Sequence, residues 1–175
     1  MSLKRILDLK VSREHYQSDA LIIWCFDERF DDYRERHPLM HLLFSVLFWA
    51  GIKRFNPETS LLRAYIRQQK FRHPDVLKLA GGAKALAFEG EGNRNALLHQ
   101  IWKAIRLHGA PRIVLMLHVD CGAFGGSQAF GDDPSGEMKN HLGGLSVAGD
   151  FLRQEFPDKK VDLLLADFNG LCALE

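Results

Sequence analysis

The sequence predicts an α/β fold: an open, mostly parallel sheet of about four to five strands flanked by helices. Three observations carry that reading. Short, nearly unbroken apolar runs recur along the chain, at residues 20–25 (ALIIWC), 76–79 (VLKL), 113–117 (IVLML) and 161–166 (VDLLLA). Segments with apolar residues at helical spacing separate them, which is how a parallel sheet buried on both faces is written. The first and third runs also stop abruptly at metal-ligand residue types, Cys25 after one, His118 and Cys121 after the other.

Taken in order, residues 3–11 place Leu3, Ile6, Leu7 and Leu9 on one face of a small helix or arm. Strand 20–25 follows, then a charged cluster at 27–36. Residues 38–52, PLMHLLFSVLFWAGI, form the most apolar stretch. A membrane span needs about 18 or more such residues, so this stretch reads as a buried or subunit-interface helix, its Phe44, Phe48, Trp49 stripe included. Asn56, Pro57 and Glu58 give the grammar of a second helix start, with Leu61, Leu62, Tyr65 and Ile66 on one face. Strand 76–79 runs into Gly81 and Gly82, which allow a tight turn or close backbone approach to a ligand. Asn93 is the expected cap of a long helix carrying Leu97, Leu98, Ile101, Trp102 and Ile105 inward, ended by Gly109 and Pro111. Strand 113–117 leads into the glycine-rich turn 122–126. A helix with Met138, Leu142, Leu145, Phe151 and Leu152 follows, its Gly143–Gly144 pair bending it or permitting close packing. Strand 161–166 and a short edge strand at 171–174 close the chain.

At 175 residues with 46% hydrophobic and 26% charged content, the chain suits one domain, with helices inserted at about 32–72. Its 23 basic and 22 acidic residues nearly cancel without long blocks of one sign. That argues against nucleic acid and anionic membrane partners and for a small-molecule substrate. Three cysteines make no disulfide framework and residues 1–17 lack a secretory pattern, so a reducing cytoplasm is the expected location.

In open α/β sheets, ligands bind beyond the carboxyl ends of the strands, where strand order reverses. Cys25, Asp27 and Arg29 leave the first strand there, and His118 and Cys121 leave the third. If those strands are neighbours, two thiolates and one imidazole converge. Such a set suits Zn²⁺, and three protein ligands leave a fourth position, the mark of a catalytic site. Each residue also has a plainer reading: the cysteines as buried thiols, Asp27 and Arg29 as a surface ion pair, and the three glycines Gly122, Gly125 and Gly126 as a tight turn. Asp120 reads as a solvent-facing or supporting group, Cys172 as a buried or edge thiol, and His15, His37, His41, His73, His99, His108 and His141 as surface residues.

C-x-D-x-R at Cys25, Asp27 and Arg29, followed by H-x-x-C-G at His118, Cys121 and Gly122, resembles the paired signatures of the β-class carbonic anhydrases. The two motifs together, in this order and each after a predicted strand, are specific, and the resemblance covers about half the chain. It implies that Cys25, His118 and Cys121 bind zinc and that Asp27 and Arg29 form a catalytic dyad. The implied activity is hydration of CO₂ to bicarbonate by zinc-bound hydroxide, with Gly122, Gly81 and Gly82 on the substrate side and Asp27 either orienting the nucleophile or closing the site. The chain departs from the family at 78–82, KLAGG, where R-N-A-G-N is usual, and in the helices of 32–72. Those departures keep open hydrolysis of COS or CS₂ at the same site, a non-catalytic zinc module and, more remotely, a thiol redox protein. The apolar surplus of 38–52 predicts a homodimer or higher homo-oligomer.

Overall fold

A computed structural model describes residues 14–27, 29–30, 38–51 and 60–174. Its elements are β1 (Leu21–Trp24), α1 (Pro38–Trp49), α2 (Leu61–Gln68), β2 (Asp75–Lys78), α3 (Lys84–Ala87), α4 (Glu91–His108), β3 (Arg112–His118), α5 (Pro134–Glu155), β4 (Lys160–Asp167) and β5 (Gly170–Leu174). Two 3₁₀ turns, Gly122–Phe124 and Ser127–Phe130, join β3 to α5. The five strands form one sheet in the order β2-β1-β3-β4-β5. Four run parallel, with Leu21 opposite Asp75 on one side and Ile113 on the other, while β5 pairs antiparallel with β4 as the edge strand. The open α/β sheet expected from the apolar runs is therefore observed.

Strand alternation splits the core into two layers. Leu21, Ile23, Ile113, Leu115, Leu117, Leu163 and Leu165 pack with α3, α4 and α5, through Leu86, Leu97, Ile101, Leu145 and Leu152. Ile22, Trp24, Val114, Met116 and Leu164 face the other way and are covered by Leu62 and Tyr65 of α2, with Phe30. β1 sits at the reversal point: the chain leaves it to one side for β2, then returns to its other side for β3. The carboxyl ends of β1 and β3 thus open into one crevice, as the metal-ligand argument required.

Helix starts differ from the sequence expectation. α2 begins at Leu61, capped by the Ser60 side chain accepting from the Arg63 N–H; Asn56, Pro57 and Glu58 lie outside the described residues, as does the expected segment 3–11. α4 begins at Glu91 with Gly90 as its cap, while Asn93 lies inside the first turn and donates to Glu89. Its Trp102 is half exposed at the margin against Phe156, not in the core. The apolar helix α1 is present, but in the single chain Leu42, Leu43, Val46 and Trp49 face solvent, Trp49 at 88% exposure, so it is no core helix. Cys172 lies exposed on the edge strand. In α5, the Gly143–Gly144 pair permits close packing, since a Cβ on Gly144 would collide with the Phe88 ring. Among the described residues no helix is long and apolar enough to cross a membrane.

One turn is fixed by sterics alone. Gly82 adopts φ +55°, and a Cβ there would meet the Met116 carbonyl oxygen and lie 3.3 Å from the Cys25 nitrogen. Gly82→Ala is expected to lower stability by about 2–4 kcal/mol, from backbone strain plus overpacking at the ends of β1 and β3. Urea denaturation of the two proteins measures it.

Candidate metal centre

Cys25 follows β1 directly, His118 ends β3, and Cys121 opens the 3₁₀ turn after it. All three are buried, none more than 4% exposed, and their ligand atoms lie within 4.8 Å of one another. The two sulfurs are 4.0 Å apart, close to the roughly 3.8 Å expected for thiolates sharing a tetrahedral ion at about 2.3 Å each. The His118 Nδ1–H donates to the Val119 carbonyl at 2.8 Å. That bond fixes the tautomer and leaves the Nε2 lone pair turned toward the sulfurs. Buried Nε2 has no hydrogen-bond partner among the described residues, a state that a metal ion relieves. The donor set therefore fits a metal ion.

Backbone amides support the sulfurs. The N–H groups of Gly81 and Asp27 point at the Cys25 sulfur, and those of Ala123 and Phe124 at that of Cys121. The Lys84 ammonium ties the two turns together by donating to the Ala123 carbonyl at 2.5 Å. The two thiols, 4.0 Å apart, compete for protons. Hydrogen bonding from Cys121 pulls Cys25 down, and the same contact with Cys25, reinforced by burial, pushes Cys121 up. Burial works against protonation of His118, but its contacts with the Cys25 thiolate and the Val119 carbonyl outweigh it and raise the ring.

Asp27 lies beside this trio, with Oδ2 3.9 Å from His118 Nε2. Arg29 grips it from outside: Nε donates to Oδ1 at 3.0 Å and Nη2 to Oδ2 at 2.7 Å, while the Arg29 backbone N–H also donates to Oδ1. The hydrogen bonds from Arg29 hold Asp27 below the usual carboxylate range against the opposing cost of burial. The two residues are thus a paired unit at the site and not an isolated surface ion pair. Arg29 reaches further than its motif shows. Nη1 donates to Asp120 Oδ2 and Nη2 to the Asp120 carbonyl, both at 2.6 Å, and the guanidinium lies over the Phe168 ring. Phe30 stacks on Phe168 and packs against His118, giving the crevice an aromatic wall.

Asp120 thus supports Arg29 and stands outside the Cys25, His118, Cys121 trio, and Phe168 enters from the β4–β5 turn without any motif to mark it. His141, expected at the surface, is fully buried beneath the Cys121 turn beside Glu137. Gly82 lies against the Cys25 backbone, Gly81 turns its amide to the Cys25 sulfur, and Gly122 begins the turn that carries the amides facing Cys121.

No family model matches the sequence, and no curated protein matches it. The structure is similar to that of a carbonic anhydrase from Glaciozyma antarctica, with TM-score 0.50 and 12% identity, covering 91% of this chain and 83% of that one. It is also similar to β-carbonic anhydrase isoform I from Trichomonas vaginalis (TM-score 0.49, 14% identity, 95% and 87% covered) and to a carbonic anhydrase from Streptococcus mutans (0.47, 12%, 92% and 84%). The likeness to the Glaciozyma antarctica enzyme is one of fold, an open α/β sheet flanked by helices, at 12% sequence identity.

The Asp27 shift has a testable sign. Because its folded pKa is depressed, its stabilising contribution is fully present above the unfolded value of about 3.9 and disappears as pH falls through the folded value. Arg29→Ala is expected to move the Asp27 titration upward toward about 3.9, read from its carboxyl carbon by NMR; an unmoved titration would separate Arg29 from the ionisation of Asp27.

Proposed function

We propose that the protein is a zinc-dependent carbonic anhydrase, catalysing reversible hydration of CO₂ to bicarbonate. The observation that carries this reading is the buried Cys25, His118, Cys121 trio with an orphaned imidazole nitrogen, at the strand-order reversal of a β-carbonic-anhydrase fold. Zinc held by these three residues supplies a Lewis acid that lowers the pKa of water toward about 7, making a nucleophile at neutral pH. The chain supplies the rest. Asp27, kept ionised, only accepts hydrogen bonds, so it would receive one from the nucleophile and thereby direct a lone pair at the substrate carbon. Arg29 engages both Asp27 oxygens, which opposes recruitment of the carboxylate as a fourth ligand and favours the open form. The amide of Gly122 donates to the product oxyanion, and the Gly81–Gly82 turn borders the substrate. Phe30 and Phe168 exclude bulk water from the same side. A reducing cytosol suits a site whose two cysteines must stay thiolates.

The purified protein is expected to contain about one zinc per chain and to accelerate CO₂ hydration in stopped-flow assays at pH 7 and pH 8.5. Asp27→Ala is expected to keep zinc and lose at least about 100-fold in kcat, whereas Cys121→Ser is expected to lose the metal. A fully active Asp27→Ala removes the dyad from the mechanism; zinc without hydration leaves a binding module.

The exposed apolar face of α1, with Leu42, Leu43, Val46 and Trp49, supports a homo-oligomer, since contiguous faces of this kind are covered in stable assemblies. Sedimentation is expected to give a dimer or larger, and a monomer at micromolar concentration contradicts this.

A further inference from the structure

Directly behind the Cys121 turn lies a buried acid–base pair outside both signature motifs. Glu137 stands in the first turn of α5 at 2% exposure, and His141, one turn later, is at 0%. A carboxylate so placed needs donors, and the signature loop provides two. The Asp120 N–H donates to Oε1 at 2.6 Å and the Ser127 hydroxyl to Oε2 at 2.8 Å. His141 closes a third side, its Nε2 3.4 Å from Oε1 and its ring edge-on to Phe124 and Phe130.

The same loop leads outward to the metal centre. The Ser127 N–H donates to Asp120 Oδ1 at 2.9 Å, while Asp120 Oδ2 and its carbonyl hold Arg29, which holds Asp27. Asp120 sits at φ +51°, a left-handed conformation that is uncommon outside glycine and has to be fixed by its surroundings. Glu137 fixes it at both ends, gripping the N–H directly and the carboxylate through Ser127. We propose that Glu137 is a positioning residue for the site: by locking Asp120 it locks Arg29, and so sets the orientation of Asp27 toward the nucleophile. The catalytic consequence rests on the carbonic anhydrase reading; the mechanical linkage from Glu137 to Arg29 does not.

Two variants of nearly equal size separate the hydrogen bonds from mere filling of space. Glu137→Met occupies the cavity but accepts no strong hydrogen bond. Glu137→Gln accepts from the Asp120 N–H while the Ser127 hydroxyl turns to accept from its amide. Zinc-loaded proteins are compared for zinc content, CO₂ hydration kinetics and solvent exchange of the Arg29 Nε–H by NMR. Glu137→Met is expected to keep zinc, lose at least about tenfold in kcat with KM held within about twofold, and speed Arg29 exchange at least about tenfold. Glu137→Gln is expected to recover most of both effects. Unchanged kcat and exchange in Glu137→Met would overturn the proposal, as would losses that Glu137→Gln fails to recover. Should Glu137→Met not fold, Ser127→Ala, which removes only the hydroxyl link, carries the test: Arg29 exchange faster by about threefold supports the linkage, and unchanged exchange overturns it. A wild type inactive toward CO₂, whose slow Arg29 exchange is nonetheless released by Glu137→Met, would sink the hydratase reading while sustaining the linkage.

Discussion

Two thiols and an imidazole, sealed from water at the point where strand order reverses, are the constraint on which the site depends. At 4.0 Å the sulfurs cannot both ionise without a positive charge between them, and burial adds to the cost. The fold lowers that cost as far as neutral groups can. Amides from two separate turns point at the sulfurs, and the imidazole is held in the tautomer that offers a lone pair. The donor chemistry of such a cluster fits a divalent ion, which would satisfy the buried His118 Nε2 and both sulfurs.

The surrounding backbone follows from that need. To bring the 78–82 turn against Cys25, the chain requires a residue without a side chain at Gly82, whose α-carbon faces the Met116 carbonyl. To return from Cys121 while presenting amides inward, it requires left-handed backbone at Asp120, Gly125 and Gly126. Glycine takes these conformations without steric cost; Asp120 is held there by Glu137 and Ser127 instead. Behind both turns, the α3, α4 and α5 layer gives a rigid floor, and α2 covers the opposite sheet face. Cys25, His118 and Cys121 are thereby positioned by packed elements, while Asp27 and Arg29 stand at the crevice beside them.

Much of this was legible in the sequence, for physical reasons that also mark where legibility ends. Strands buried on both faces are continuous apolar runs, so β1, β3 and β4 could be located within a residue or two, and the candidate metal-binding residues stood at the ends of β1 and β3. Helix starts were less visible. Asn93 has the chemistry of a cap, but the chain had already turned helical at Glu91, and a four-residue helix such as α3 carries no period to detect. The pair Arg29 and Asp120 is 91 residues apart in sequence, and only adjacency of β1 and β3 joins it. Glu137 and His141, four apart on an amphipathic helix, look like an ordinary solvated pair. Their burial is a property of the loop that folds over them.

X-ray absorption at the zinc edge on the purified protein is the measurement that shows whether Cys25, His118 and Cys121 hold zinc, because it reads the donor set independently of turnover. Two sulfur scatterers at about 2.3 Å and two nitrogen or oxygen scatterers at about 2.0–2.1 Å are expected. One of the lighter atoms would be His118 Nε2, and the other would occupy the position that Asp27 faces. A first shell without sulfur, or a protein that retains no zinc, would contradict zinc binding by these residues.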